Sequence, residues 1–376
     1  MLVLTLAQLA AVQVATYLYD APEFSDLQSK YKSHLYDLPD QKWEHLVKRK
    51  LPPPICSTET LNKIIAVMRP ISYEFWNWVM DHLIILRNES RKKYDIPISW
   101  RSDGTINRIK TADRIIESED FSIETRFTMA CQYWYWLEIA KFLLRLSPDE
   151  RAFLLRYVVE STIGGHKHMM HRFFEFIEDL DYLPFRQDWS FKFEWTNVTM
   201  FNRDFDRLPP AKQIASEDDA VKKTSHLPLG RHCLLRMNAR RRMSALQHFP
   251  YRVLRIYLFW PLQVLFADAA STVLGALSNH SFLCLIHIMI CQKILLGWRD
   301  AEYVDLLTRF WRESPNHCKE YVNTDEIFEI LTSILENKGF RTHLRSRVPQ
   351  RYLIHGGTLV ENARRCVKLT EIHFDD

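Results

Sequence analysis

Glycine is scarce in this chain, with 9 residues among 376. Nucleotide-binding loops and the tight turns of all-β folds use glycine freely, because it adopts backbone conformations that other residues avoid. Aromatic residues are plentiful by contrast, with 22 Phe, 15 Tyr and 11 Trp. The shortage of glycine, together with long segments whose apolar residues recur every three or four positions, predicts an all-α fold.

Several signatures of catalysis and ligand binding are missing. The seven cysteines are an odd number, are widely spaced and include no C-x-x-C pair, which argues against a disulfide framework and a zinc ribbon. Neither H-E-x-x-H, G-x-S-x-G nor a phosphate-binding loop occurs. We therefore predict no cofactor, no catalytic residue and a reduced, soluble, cytoplasmic protein that is not an enzyme.

No apolar run has the length and purity of a membrane span, which needs about 20 residues. The longest apolar region is Tyr251–Trp298, and its first half is interrupted by Arg255, Pro261 and Asp268. It predicts a central buried helical hairpin, with Pro261 kinking or dividing the first helix. A buried carboxylate or imidazole needs a partner, so Asp268 and His287 could pair across the two helices.

An excess of charge of either sign is also missing. The 50 basic and 46 acidic residues nearly balance, leaving a net charge of +4. General attraction to nucleic acid is therefore not expected. One local cluster stands out, and it could bind phosphates or remain a solvated helix face: Arg231, Arg236, Arg240, Arg241 and Arg242. We favour the solvated face, since no aromatic side chains interleave with these arginines.

Local signals divide the chain into helices. Ser147-Pro148-Asp149-Glu150 combines a capping Ser, a Pro at the first helical position and a Glu at the third, which predicts a helix start. The opening segment lacks a basic start and predicts a first core helix, not a secretion signal. The residues that can share its core face are Leu2, Leu6, Leu9, Val12 and Tyr19. Ser122 caps a predicted long helix that includes the aromatic run Tyr133-Trp134-Tyr135-Trp136. Pro70 is predicted to end one helix, and Ser72 to begin the next.

The predicted domain organisation is a single helical domain or array over 1–376, either irregular or a degenerate repeat. Residues 184–228 are the one long irregular connector, where Pro209-Pro210 and the acidic SEDDA segment favour an exposed loop. If the chain has a seam between two parts, the sequence places it there.

Three side chains could converge on a metal ion. His168, His171 and Glu175 are spaced by three and four residues, so on a helix they would share one face. The simpler interpretation is a solvated helix start, which we favour because no closed ligand set accompanies them.

Four segments carry a resemblance: LTLAQLAAVQVATYLY, RPISYEFWNW, DGTINRIKTADRII followed by RFTMACQYW, and LPLGRHCLLRM. They resemble a group of uncharacterised helical proteins of arachnids, spread along most of the chain. No activity, cofactor or catalytic residue is established for that group. The resemblance therefore implies a helical chain and transfers no functional residue.

The predicted function is a non-catalytic helical protein that interacts with another protein, because helices with surfaces for a partner are present and catalytic motifs are missing. Two alternatives remain open. One is a metal-dependent enzyme using His168, His171 and Glu175, and the other is nucleic-acid binding through the arginine cluster at 231–242.

Overall fold

The computed structural model describes residues 4–53, 55–83, 85–86, 89, 96–133, 135–161, 205–224 and 226–336. These residues form seventeen α-helices and no β-strand, which confirms the predicted all-α class. In chain order the helices are α1 Leu6–Tyr19, α2 Pro22–Tyr31, α3 Glu44–Lys50, α4 Thr58–Asp81, α5 Arg108–Glu117, α6 Ile123–Gln132, α7 Trp136–Arg145, α8 Pro148–Ser161, α9 Pro210–Lys223, α10 Leu227–Arg236, α11 Ala239–His248, α12 Pro250–Tyr257, α13 Phe266–Val273, α14 Asn279–His287, α15 Tyr303–Glu313, α16 Asn316–Val322 and α17 Phe328–Leu335.

The chain divides into two compact units. Unit 1 contains the described parts of Met1–Glu74, Ser102–Gly104 and Gly230–Asp376, and unit 2 contains those of Phe75–Arg101 and Thr105–Leu229. The predicted seam at 184–228 stays a prediction. Its last part is not an exposed loop, however, since α9 occupies Pro210–Lys223 and buries Ala220 and Val221. Pro210 begins that helix, where a missing N–H costs nothing.

Side-chain caps begin several helices. At the start of α1, the Gln8 N–H donates to Thr5 Oγ1 at 3.2 Å while the Thr5 N–H donates to Gln8 Oε1 at 2.9 Å. Ser147 and Glu150 form the same reciprocal pair at the start of α8, with distances of 3.3 and 2.8 Å. Each pair satisfies two amides that the first helical turn leaves without partners.

The prediction that Pro70 ends a helix was wrong. One helix, α4, runs from Thr58 to Asp81 with Pro70 inside it. Ser72, the predicted cap, is buried and its Oγ accepts a hydrogen bond from the Tyr36 N–H at 3.1 Å. A tertiary contact thus uses the hydroxyl that a local pattern assigned to a helix start, and packing overrides the local cost of an internal proline.

The predicted long helix after Ser122 is two helices. Ser122 does cap α6, since its Oγ accepts from the Thr125 N–H at 3.3 Å. The helix then ends at Gln132, and α7 begins at Trp136 after three intervening residues. Tyr133 and Tyr135 are both buried. Bulky neighbours on a continuous helix point in different directions, so a break allows both rings to enter the core.

The apolar region Tyr251–Trp298 forms a large part of the core of unit 1. It contains α12, α13 and α14, so the chain divides around Pro261 as predicted, and α12 contacts both of the other helices. Phe310 of α15 packs against the region, with ring centres 5.5 Å from Phe266 and 4.6 Å from Phe282. Across the described ranges, no helix is both long and apolar enough to cross a membrane.

Candidate functional sites

The predicted metal-binding residues His168, His171 and Glu175 lie outside the described residues. Among the residues that the structure describes, no group of three or more His, Cys, Asp or Glu side chains could hold a metal ion. The metal hypothesis therefore stays a prediction about those three side chains alone.

The predicted arginine cluster is partly used inside unit 1. Arg231 donates to the buried Glu74 carboxylate at 2.6 Å and to the Trp260 carbonyl at 3.1 Å. Arg242 donates to the Met237 carbonyl at 2.6 Å, which ties the start of α11 to the end of α10. Arg231 and Arg242 are thus engaged within the fold, whereas Arg236 and Arg240 are exposed. Nucleic-acid binding through the cluster stays a prediction.

Asp268 and His287 do not pair with each other, so that idea was wrong. The Asp268 side chain is 86% exposed and lies 3.1 Å from Arg309. His287 Nε2 lies 3.3 Å from Asp325 Oδ1. The sequence placed Asp268 in an apolar stretch, but α13 is amphipathic and turns this carboxylate toward solvent.

The outward face of α1, which we define as Leu6, Ala10, Gln13 and Tyr17, is exposed. Their spacing of four, three and four residues aligns them along one side of the helix. Leu6 is 86% exposed and Tyr17 79% exposed. The fourteen residues of α1 include no charged side chain. Leu6 was predicted to share the core face with Val12 and Tyr19, which is wrong, although Val12 and Tyr19 are buried.

A fully buried lysine lies at the end of the apolar region, which is the position sequence reasoning missed. Lys293 lies on a π-helix that continues α14 over Ile288–Ile294. Four ring centres of unit 1 surround its Nζ: Trp298 at 3.4 Å, Phe259 at 4.0 Å, Tyr303 at 5.5 Å and Tyr73 at 6.0 Å. π-Helical turns are rare and frequently occur at functional sites.

A carboxylate accompanies this lysine. Asp300 Oδ2 accepts hydrogen bonds from the Gln263 side-chain amide and from the Tyr303 hydroxyl, the latter at 3.2 Å. The Tyr303 hydroxyl is also 3.2 Å from the Leu258 carbonyl. Both donors lie on Oδ2, so the other carboxylate oxygen is the one left for a further partner.

Burial changes the protonation of both groups. It lowers the pKa of Lys293 to about 7, and the nearby Asp300 carboxylate opposes that shift. Burial also raises the pKa of Asp300, against the influence of Lys293. Each group thus approaches its neutral form, as expected where desolvation penalises charge.

Three polar atoms of this cluster have no protein hydrogen-bond partner among the described residues. They are Lys293 Nζ, Trp298 Nε1 and Asp300 Oδ1, all shielded from solvent. Most buried polar atoms in proteins are satisfied, and a cluster of exceptions needs an explanation. We call Lys293, Trp298, Asp300 and Tyr303 the lysine cluster.

One sequence signal could have identified this cluster. Lys293 is the only Lys, Arg, Asp or Glu between Asp268 and Arg299. Asp268 and His287 are the predicted polar exceptions of this region. Lys293, whose side chain is longer and more basic than either, is not among them. A lone lysine in a buried apolar run lacks a local counterion, which is the condition that depresses a lysine pKa.

Unit 2 contains a second buried polar cluster. Asp81, at the end of α4, is bound by Arg108 and by His226 Nε2, which lies 2.9 Å from Oδ2 and 3.0 Å from Oδ1. The Leu229 N–H donates to His226 Nδ1 at 3.2 Å. Burial alone would raise the pKa of Asp81, but His226 and Arg108 outweigh it and hold that pKa at about 2.

His82 lies beside this carboxylate and is neutral. Its Nδ1 is 2.7 Å from the Trp78 carbonyl, which only accepts, so Nδ1 carries the proton. The Tyr133 hydroxyl, 2.9 Å away, then donates to Nε2. Burial, assisted by Arg108, lowers the pKa of His82 to about 3. The side-chain polar atoms of Asp81, His82, Tyr133 and His226 are all used within the fold, which is typical of a structural network.

Comparison of the chain with protein-family models, with curated proteins and with solved structures gives no match. The resemblance to helical proteins of arachnids therefore stays a prediction.

Proposed function

We propose that this chain is a helical protein that binds another protein through the outward face of α1, a role that needs no catalytic residue. The observation that carries the proposal is the exposure of two large apolar side chains, Leu6 and Tyr17, on a helix without charge. Contiguous exposed apolar surface on a folded protein commonly marks an interaction site.

The composition of the face indicates the chemistry of its partner. An acidic or basic peptide would find no opposite charge on α1, and its own charges would lose water on binding without compensation. An uncharged apolar stripe on a partner helix has no hydrated charge to lose on binding. Tyrosine at one end of the face suits this role, because its large rigid ring often anchors protein interfaces. We therefore propose an amphipathic helix of another protein as the partner.

The experiment compares the wild-type chain with the double variant Leu6→Glu, Tyr17→Glu in affinity capture from native cells. Ile55→Glu is the matched control, since Ile55 is 72% exposed but lies outside α1. Some protein should be captured by both the wild type and the control. We expect the double variant to capture at least about tenfold less of it, which corresponds to about 1.4 kcal/mol of binding free energy. Purified protein so identified should reproduce the difference in binding constant.

Two results contradict the proposal. In one, the double variant retains the same proteins as the wild type. In the other, Leu144→Glu on α7, also at a highly exposed position, removes the partner while the α1 variant does not. Sedimentation of the purified chain shows whether the protein bound is instead a second copy, in which case the face is a self-association surface and the partner assignment is wrong.

A further inference from the structure

We propose that Lys293 is a reactive amine that condenses with a small uncharged aldehyde or ketone, with the rest of the lysine cluster completing the site. This is a chemical activity beyond the binding role of α1, and it rests on other residues. The two ideas can fail independently.

The surroundings of Lys293 suit a nucleophile. Its Nζ is fully buried and has no hydrogen-bond acceptor among the residues that the structure describes. Aromatic rings surround it, with Trp298 and Phe259 nearest. A lysine desolvated in this way titrates near neutral pH and exposes a free lone pair, which is how lysines that form imines are activated.

Asp300 can supply the proton that the reaction needs. The Gln263 amide donates to Oδ2, whereas Oδ1 has no partner in the described structure, so a proton on this carboxyl group belongs on Oδ1. Burial raises the pKa of Asp300, which favours its protonated form. General acids in enzymes are tuned by the same effect.

The reaction balances without an oxidant or reductant. The Lys293 lone pair attacks the carbonyl carbon, forming a C–N bond, and the carbonyl π electrons move to oxygen. Transfer of a proton from nitrogen to that oxygen gives a carbinolamine. Asp300 then protonates the hydroxyl group, the C–O bond breaks, and water leaves. The nitrogen lone pair forms the C=N bond of a protonated imine. The proton on the imine nitrogen then passes to the Asp300 carboxylate, which regenerates the acid.

The surroundings of Nζ set the charge of the substrate. Trp298 is buried with its ring centre 3.4 Å from Nζ, while the neighbouring Arg299 is exposed. The rings that enclose Nζ offer no charged group to a substrate apart from Asp300, which disfavours anionic carbonyl compounds.

The test treats the full-length protein with propanal and sodium cyanoborohydride, which reduces an imine to a stable amine, and maps the modified lysines by mass spectrometry. Lys223 is the internal reference, because its side chain is 67% exposed. At pH 7 an ordinary lysine is free amine in only about 4 molecules per 10,000. We expect Lys293 to be modified at least about tenfold faster than Lys223 at pH 7, with the ratio falling toward one near pH 10.

Asp300→Asn tests the acid. We expect it to slow modification of Lys293 at least about fivefold while leaving Lys223 unchanged, with near-UV circular dichroism confirming the fold. If Lys293 reacts no faster than Lys223 at any pH from 6 to 9, the proposal is wrong. An Asp300→Asn protein that folds and reacts at the wild-type rate overturns the role of Asp300. The wild-type measurement decides the main point even where the variant does not fold.

Discussion

The Nζ atom of Lys293 lies 3.4 Å from the centre of the Trp298 ring. Attraction between an ammonium ion and an aromatic face is worth roughly 2 kcal/mol at a desolvated site, whereas removing the ion from water costs several kcal/mol. Desolvation is therefore the larger effect, in agreement with the lowering of the Lys293 pKa to about 7. The aromatic rings therefore offset only part of the desolvation cost of burying this lysine.

The first prediction concerns the pH dependence of stability. The unfolded chain binds a proton on Lys293 up to about pH 10.5, whereas the folded chain releases it near pH 7. Between these values the unfolded state holds more protons, so the free energy of unfolding rises with pH, by at most about 1.4 kcal/mol per pH unit from this group. Below pH 7 both states are protonated and this contribution becomes constant.

Lys293→Met should remove that dependence, because methionine fills a similar volume without a charge. We expect the variant to be at least as stable as the wild type at pH 7, with the difference shrinking toward pH 10, in urea unfolding measured at several pH values. A variant that is less stable than the wild type at pH 7, with the same pH slope, would show that the ammonium ion stabilises the fold.

A second prediction concerns Asp81. Asp81→Asn leaves Arg108 and His226 without their carboxylate, and breaking a buried ion pair in this way costs about 3–5 kcal/mol. Asp268→Asn is the matched control, because that carboxylate is exposed beside Arg309, and no measurable change is expected. Urea unfolding at pH 7 checks both. Equal effects of the two substitutions would mean that the Asp81 cluster contributes little to stability.

A third prediction concerns the protonation of His82. Because its folded pKa is about 3 and an unfolded histidine titrates near pH 6.5, the unfolded state binds the extra proton between these values. Stability from this group is therefore full above about pH 6.5 and is lost as the pH falls toward 3. Nitrogen NMR shifts of the ring should keep the Nδ1–H form from pH 7.5 to 5. Titration of the folded ring near pH 6.5 would contradict the structure.

The parts of the fold that the sequence predicted are local. The pair Ser147 with Glu150 depends on residues three positions apart, and the structure contains it. Helical class follows from periodicity in the same way. Such signals operate within one turn of helix, so they do not depend on which elements meet in the fold.

The parts that failed depend on tertiary contacts. Pro70 ends a helix only if nothing compensates for its missing N–H, and Ser72 is buried against a distant segment instead of capping. Lys293, in the lysine cluster, meets the rings of Phe259 and Tyr303, which come from other parts of the chain. The spacing of these residues along the chain does not predict that they contact one another. The exposed α1 face escaped prediction for the same reason, because burial depends on which neighbours cover a helix.

The fourth prediction concerns Gly104, whose backbone has a φ of +78°. An L-residue in that left-handed conformation loses roughly 1–2 kcal/mol. A Cβ at this position would lie 3.0 Å from Val12 Cγ1, which is closer than carbon atoms normally approach. We therefore expect Gly104→Ala to destabilise the protein by at least about 1 kcal/mol. Urea unfolding provides the measurement.

Gly275→Ala is the control for this fourth prediction. No atom lies within 4 Å of a Cβ added there, and its φ is not in the left-handed region. Alanine should therefore leave stability unchanged or raise it by up to about 1 kcal/mol, since it restricts the unfolded chain. The neighbouring Asp103 carbonyl accepts from Trp260 Nε1 at 2.6 Å, so Gly104→Ala should also alter the tryptophan fluorescence of the folded protein. If both alanine variants unfold at the same urea concentration, the turn at Gly104 tolerates a side chain and its left-handed geometry does not limit the sequence.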